Sequence, residues 1–257
     1  MNARRKNPPP DTAFAKEQFD AIYPDGVQHH YWTLARNRII ADELRKSLSM
    51  NAGGGGLEIG CGRGVVVASL RARGFEVRGV ELAPISPVAG AENFVRAGTD
   101  AFALPEAERR GFRYLLLLDV LEHLPDPAGF LEKTRAAFPN AAFVMATVPA
   151  RMSLWSNWDE LNGHFLRHDF NSVQALADAA GGTLLRRSHF FHALWLPARL
   201  LLLAGRKRSE RITPPRGRAA LLAHRLLAFL FWCEHRLLPG KLPGSSLLFV
   251  LSLRPKA

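Results

Sequence analysis

Residues 57–64 read Leu-Glu-Ile-Gly-Cys-Gly-Arg-Gly, and a carboxylate followed by alternating glycines can cradle a nucleotide-type ligand. Glycine adopts turn dihedrals that a Cβ forbids, and bare main chain lets a ligand come close. The free amides at the start of the following helix would then face that ligand. About 20 residues after Gly60, Glu81 ends the next strand-like run beside Leu82, where a carboxylate can accept both ribose hydroxyls. Two further acidic positions follow, Asp100 with Ala101 and then Asp119 with Val120 after the apolar run Tyr114 to Leu118. A glycine triplet alone also fits a turn with no ligand, so the spacing of these carboxylates carries the reading.

Two histidines offer a base. Imidazole titrates near neutrality and can take a hydroxyl proton, and both His123 and His164 fall in segments expected to border the cleft. His164 is preferred because its loop also holds Trp155, Trp158, Asp159, Glu160, Arg167 and His168, a density of charge and aromatic surface that suits a substrate lid. Acceptor contacts are expected from Trp158, Asp159 and Arg167 of that loop and from Tyr31 and Trp32 of an N-terminal helix. Plainer roles stay open: Asp100 could cap a turn, Glu58 could orient the glycines, Cys61 could fill a tight space, and His123 could bond to main chain.

Alternating runs supply the scaffold for these residues. Ile39, Ile40, Leu44 and Leu48 recur at helical spacing within a preface from Phe14 to about Met50, and a glycine-rich hinge leads into the first strand. Strands are expected over 57–60, 76–82, near Thr99, 114–120 and 142–148, with helices over 65–73, 85–96 and 127–138. A helix over 172–180, stopped by Gly181-Gly182, and a strand over 183–188 follow. The last strand, 247–253, is apolar throughout, which suits a place between two others. Alternation of this kind predicts an α/β fold, a doubly wound, mostly parallel seven-stranded sheet with helices on both faces. The expected organisation is a disordered tail (1–13), a helical cap (14–52), a core (53–188) with a substrate loop (150–171), a helical insertion (189–245) and a closing strand (246–257).

Taken together, LEIGCGRG, Glu81, TDAFALP around Asp100 and DVLEHLPDP from Asp119 to Pro127 resemble the class I S-adenosylmethionine-dependent methyltransferases. Gly60, Gly62 and Gly64 alternate instead of following the G-x-G-x-x-G order of dinucleotide sites, which argues against NAD. The resemblance covers roughly residues 53–149 and continues more loosely through 158–170, similar to a bacterial small-molecule branch that includes the ubiquinone-type O-methyltransferases. Phe112-Arg113 departs from the Phe-Asp pair of many relatives. The resemblance implies S-adenosylmethionine as cofactor, with Glu58, Gly60, Cys61, Gly62 and Gly64 around its methionine portion. It likewise implies Glu81 and Leu82 at the ribose, Asp100 and Ala101 at the adenine, Asp119 and Val120 beside the acceptor, and a last strand antiparallel to the fifth. A sulfonium methyl is already activated, so few catalytic side chains are needed beyond those that position and desolvate. Asp119, Glu122 and His123 are similar to a divalent-metal cluster of that branch, but acidic strand ends are ordinary in this fold and no metal is expected.

The 257 residues are 47% hydrophobic, enough to bury the core of one main domain with additions. Cys61 and Cys233 make neither a metal quartet nor a disulfide framework, which fits a reducing cytoplasm. The charged, proline-rich residues 1–10 lack the apolar stretch of a signal peptide. The net charge of +11 gathers late, in Arg186-Arg187, Arg206-Lys207-Arg208, Arg211, Arg216, Arg218 and Arg225, between apolar runs too short to cross a bilayer. This distribution suits a small or lipid-like acceptor and, peripherally, the anionic inner face of a membrane as partners, and the resemblance implies that the acceptor is methylated on oxygen. Nucleic acid is the weaker alternative, because the chain has Asp-Val-Leu-Glu where amino-base enzymes have Asn-Pro-Pro-aromatic. Intact motifs disfavour a binder that has lost catalysis.

Overall fold

The computed structural model describes Phe19 and residues 22–50, 54–209 and 211–253. The expected tail at 1–13, the start of the helical preface and half of the glycine hinge lie outside the described residues. Among the described residues, seven strands form one sheet: β1 (Gly56–Ile59), β2 (Val77–Val80), β3 (Val95–Arg96), β4 (Tyr114–Leu118), β5 (Phe143–Pro149), β6 (Thr183–Phe190) and β7 (Ser246–Ser252). Their order is β3-β2-β1-β4-β5-β7-β6, parallel through the first five, with β7 antiparallel between β5 and β6. Strand order reverses between β1 and β4, which opens a crevice outside their carboxyl ends.

The helices are α1 (Tyr31–Met50), α2 (Val65–Arg71), α3 (Glu106–Arg109), α4 (Pro127–Ala137), α5 (Asn157–Leu161), α6 (Phe170–Ala179), α7 (His192–Leu203) and α8 (Arg218–Leu237). Period-two alternation in the central strands decides which layer each residue joins. Leu115, Leu117, Val144, Ala146 and Phe249 share a core with Leu131 of α4 and Val173 of α6. Tyr114, Leu116, Met145 and Val250 share the other with Ile39, Ile40 and Leu44 of α1 and Phe231 of α8. Each large side chain buried this way stabilises by about 1.5–3 kcal/mol, and strands apolar on both faces need both layers.

Residues 85–94, expected as a helix, run instead in turns, and the third strand is Val95–Arg96, not the chain near Thr99. Pro84 and Pro87 offer no amide, Gly90 sits at φ 84°, and the Val88 amide donates to Arg63 O at 2.8 Å in place of a helical partner. The insertion resolves into α7 and α8. α8 packs along α1, where Trp232 Nε1 donates to Asp42 Oδ2 at 2.7 Å.

Candidate cofactor crevice and base

After β1 the chain turns through Gly60, Gly62 and Gly64, at φ 73°, 53° and 75°. A Cβ on Gly60 would lie 2.9 Å from Val120, and one on Gly62 would lie 2.4 Å from the Tyr23 hydroxyl. Dihedral and space both demand glycine here. Glu81, at the end of β2, fastens the turn: Oε2 accepts from the Gly62 amide at 2.9 Å and Oε1 from the Ala83 amide at 3.1 Å. Leu82 beside it is exposed. Cys61 is buried over Gly79, and its thiol is pushed up by burial and then by Glu58 and Glu81, so it serves as filler.

Around this turn, charged groups meet with their bonding incomplete. Glu58 of β1 is buried and its Oε2 has no hydrogen-bond partner; burial pushes its carboxyl up to about 8, with Glu81 and Asp119 adding and Arg36 opposing. Arg36 reaches in from α1, its Nη2 lying 2.7 Å from Asp119 Oδ2 and donating to Thr147 Oγ1 at 3.1 Å. Thr147 Oγ1 donates to Asp119 Oδ1 at 3.0 Å, while Arg36 Nε is buried without a partner. Asp119 sits at φ 60°, a left-handed conformation costly for a residue with a side chain, directly after β4. Asp100 caps the turn Ala101–Ala103, its Oδ1 accepting the Phe102 amide at 2.9 Å.

The loop after β5 is organised differently. Asp159, in α5, accepts from Arg167 Nε (2.7 Å) and Nη2 (3.0 Å) and from the Ser156 amide (2.9 Å) and hydroxyl (3.1 Å). His164 Nδ1 lies 2.8 Å from Asp159 Oδ1, and a proton held on Nδ1 leaves Nε2 as the acceptor nitrogen. The His123 ring stands 4.7 Å from that of His164, and its basicity is lowered to about 3 by burial and then by His164. Neither oxygen of the fully buried Glu122 has a hydrogen-bond partner, and burial followed by Asp119 drives its carboxyl well up. Glu122, His123 and His164 bring ligand-type atoms within 4.8 Å of one another. The metal set drawn from the sequence differs, because Asp119 is spent on Arg36 and Thr147 and His164 stands with the other two.

Of the expected acceptor contacts, Trp32 borders the crevice, with the Arg36 guanidinium 5.2 Å from its ring. Tyr31 turns toward α8, its amide donating to His224 Nδ1 at 3.0 Å and its ring stacking on Phe231. Trp158 is half-buried on α5. Arg36 and Tyr23 were not among the expected residues. For Arg36 a signal existed, a charge on the stripe that continues through Ile39, Ile40 and Leu44. Tyr23 carried none; it arrives by tertiary packing from ahead of α1.

A glycine turn and strand-end carboxylates at the reversal of a doubly wound sheet make a crevice of the kind that takes a nucleotide-type ligand. Residues 31–195 match the model of the methyltransferase domain, and the chain belongs to that family. The chain is 34% identical over 100 residues to a ubiquinone biosynthesis O-methyltransferase of Hahella chejuensis, a match covering 36% of this chain and 42% of that relative. It therefore spans about two fifths of the relative's length. The fold is shared with magnesium protoporphyrin IX methyltransferase of Synechocystis PCC 6803, at a TM-score of 0.51 and 13% identity over 92% of this chain and 93% of that one. A protein of Galdieria sulphuraria assigned as a sarcosine dimethylglycine methyltransferase gives 0.51 and 15% over 86% and 85%.

Proposed function

We propose that the enzyme methylates an oxygen of a small or lipid-like acceptor at the inner face of a membrane, with His164 as the base. The observation that carries this reading is the Asp159–His164 pair, which orients a buried imidazole with Nε2 as the acceptor nitrogen. The name of the curated relative, a ubiquinone biosynthesis O-methyltransferase, supports oxygen.

The crevice fits the cofactor in one respect: Arg36 Nε and Glu58 Oε2 are buried polar atoms with bonding capacity to spare. S-adenosylmethionine supplies an activated methyl group. Gly60, Gly62, Gly64 and Glu58 would hold its amino-acid portion, with Arg36 as the cation for the carboxylate. Glu81 and Leu82 would hold the ribose, Asp100 and Ala101 the adenine, and Asp119 and Val120 the boundary with the acceptor. Asp159 and Arg167 act as positioning residues for His164, since they spend their polar atoms on each other, on Ser156 and on the Ala150 carbonyl. Trp32 and Trp158 wall the acceptor, and Tyr31 supports that wall from behind.

A second reading gives the unpartnered Glu122 carboxylate, with His123 and His164, a divalent cation. One oxygen and two imidazole donors suit zinc, which would lower the pKa of an acceptor hydroxyl. His164 is then a ligand and not the base.

One assay separates these readings: transfer of labelled methyl to hydroxylated aromatic and amine acceptors by wild type, Glu81→Ala and His164→Gln, with and without chelator. The expected result is an O-methylated product, loss of the cofactor-induced rise in Tm in Glu81→Ala, and a kcat about 100-fold lower in His164→Gln at unchanged cofactor affinity. An exclusively N-methylated product would overturn the oxygen assignment. Chelator-sensitive activity restored by zinc would replace the base by the metal.

A further inference from the structure

Helix α8 has two apolar faces. One sets Ala228 and Phe231 into the core. The other, formed by Leu222, Leu226, Phe229, Leu230 and Leu237, recurs at helical spacing in solvent, with Leu230 62% and Leu237 80% exposed. The neighbouring α7 repeats this pattern with Leu196, Leu200 and Leu203, the last 65% exposed. Single exposed leucines are ordinary; two adjoining helices that each turn a leucine stripe outward are a feature that needs an occupant.

Charge accompanies the leucines. Between His192 and Ser245 the sequence holds ten Lys or Arg against two Glu, so this fifth of the chain carries eight of its eleven net positive charges. Arg206, Lys207, Arg211, Arg216, Arg218 and Arg225 are exposed, in the α7–α8 connection and the first half of α8.

We infer that α7 and α8 dock the protein on an anionic lipid bilayer, lying in the interface plane with leucines among the upper acyl chains and arginines among the headgroups. Nucleic acid would match the charge but leave the leucines uncovered. A second copy would cover the leucines but press two like-charged faces together. Among the described residues no helix is long and apolar enough to cross a membrane, which is consistent with a helix pair that lies on it.

The docking face is tied to the loop that carries His164. Asn157 of α5 exchanges two hydrogen bonds with the backbone of Arg208, at 2.9 and 3.0 Å, and Arg199 Nη1 donates to Ser153 O at 3.2 Å. On the same loop Met152 and Phe165 are also exposed. An acceptor resident in the bilayer is thereby presented beside His164. That corollary rests on the function proposed above; the docking itself does not.

Sedimentation of the full chain with vesicles of phosphatidylcholine, with or without phosphatidylglycerol, tests the inference. The protein should pellet with vesicles containing phosphatidylglycerol, less so in high salt and with pure phosphatidylcholine. Leu226→Asp with Leu230→Asp should weaken recovery about tenfold or more while the cofactor-induced rise in Tm is kept. If that variant fails to fold, Arg206→Glu with Lys207→Glu, at exposed positions, should lose the preference for phosphatidylglycerol. Protein that stays in the supernatant, vesicle binding indifferent to these substitutions, a dimer split by the leucine changes, or tighter capture by RNA than by vesicles each overturns the proposal. Wild type that pellets with vesicles but shows no response to S-adenosylmethionine would sink the enzyme reading and leave the docking intact.

Discussion

The crevice between β1 and β4 and the loop after β5 both bury carboxylates, with opposite outcomes. Burial pushes Asp159 up, yet the bonds from His164 and Arg167 outweigh it and hold the group at about 2. In the crevice no partner outweighs burial, and Glu58 rises to about 8 with one oxygen unbonded. Glu122, where crevice and loop meet, is likewise driven well up by burial, with both oxygens unbonded. Burial therefore does not say what a carboxylate is for; the completeness of its bonding does. Asp159, its oxygens shared among Arg167, His164 and Ser156, belongs to the scaffold, whereas Glu58, with an oxygen left unbonded beside the glycine turn, is positioned for a ligand.

Removing Asp159 tests the scaffold half of that contrast and has the largest expected effect. In Asp159→Ala the Arg167 guanidinium stays buried without its counter-ion, which costs about 3–5 kcal/mol. Urea unfolding should show a lower midpoint at an unchanged m-value. A loss below about 1 kcal/mol, the range of an exposed pair, would mean that the loop charges are not structural.

Glu58 carries the opposite sign. Its folded carboxyl titrates at about 8 against an ordinary 4.5, so the folded state binds the proton more tightly than the unfolded one. The stability this contributes is complete below pH about 4.5 and is lost as pH rises through about 8. Glu58→Gln cannot ionise. It should match wild type at pH 4.5 and exceed it at pH 9 by on the order of a few kcal/mol, while binding S-adenosylmethionine more weakly. If wild type and variant keep the same stability difference at both pH values, Glu58 has no unpaid desolvation and belongs with Asp159.

The fold was more legible in the sequence than the site. Strands such as Tyr114–Leu118 and Ser246–Ser252 are apolar on both faces, and that pattern survives folding because the whole sheet imposes it. Segment 85–96 misled because Ile85, Val88, Ala91 and Val95 mimic helical spacing, whereas Gly90 turns at φ 84° and the Val88 amide donates to Arg63 O instead of a helical carbonyl. Glu58, Glu81 and Asp119 were legible because strand ends in a parallel sheet fall at one edge. The meeting of Glu122 with His164, and of Arg36 with Asp119, depends on where a loop and a preceding helix come to rest, which no local pattern encodes.

Tyr23 carries the smallest expected effect and sharpens the contrast most finely. Its hydroxyl lies against Gly62, near Glu58, Glu81, Asp119 and Arg36, and burial raises its pKa. Arg63 Nη1 donates to its carbonyl at 3.2 Å, and Phe19 stacks on its ring. The phenol thus occupies space beside the very glycine a ligand would touch, so cofactor and hydroxyl contest one position. Tyr23→Phe should change the stability of the free enzyme by about 1 kcal/mol or less. Calorimetry should show S-adenosylmethionine bound slightly more tightly, within about tenfold of wild type, because a competing group is gone. The same measurement on His164→Gln should show no change, since the loop is already saturated. Binding weakened beyond tenfold in Tyr23→Phe would make the hydroxyl a cofactor contact, and the crevice would then be completed by its own N-terminal segment.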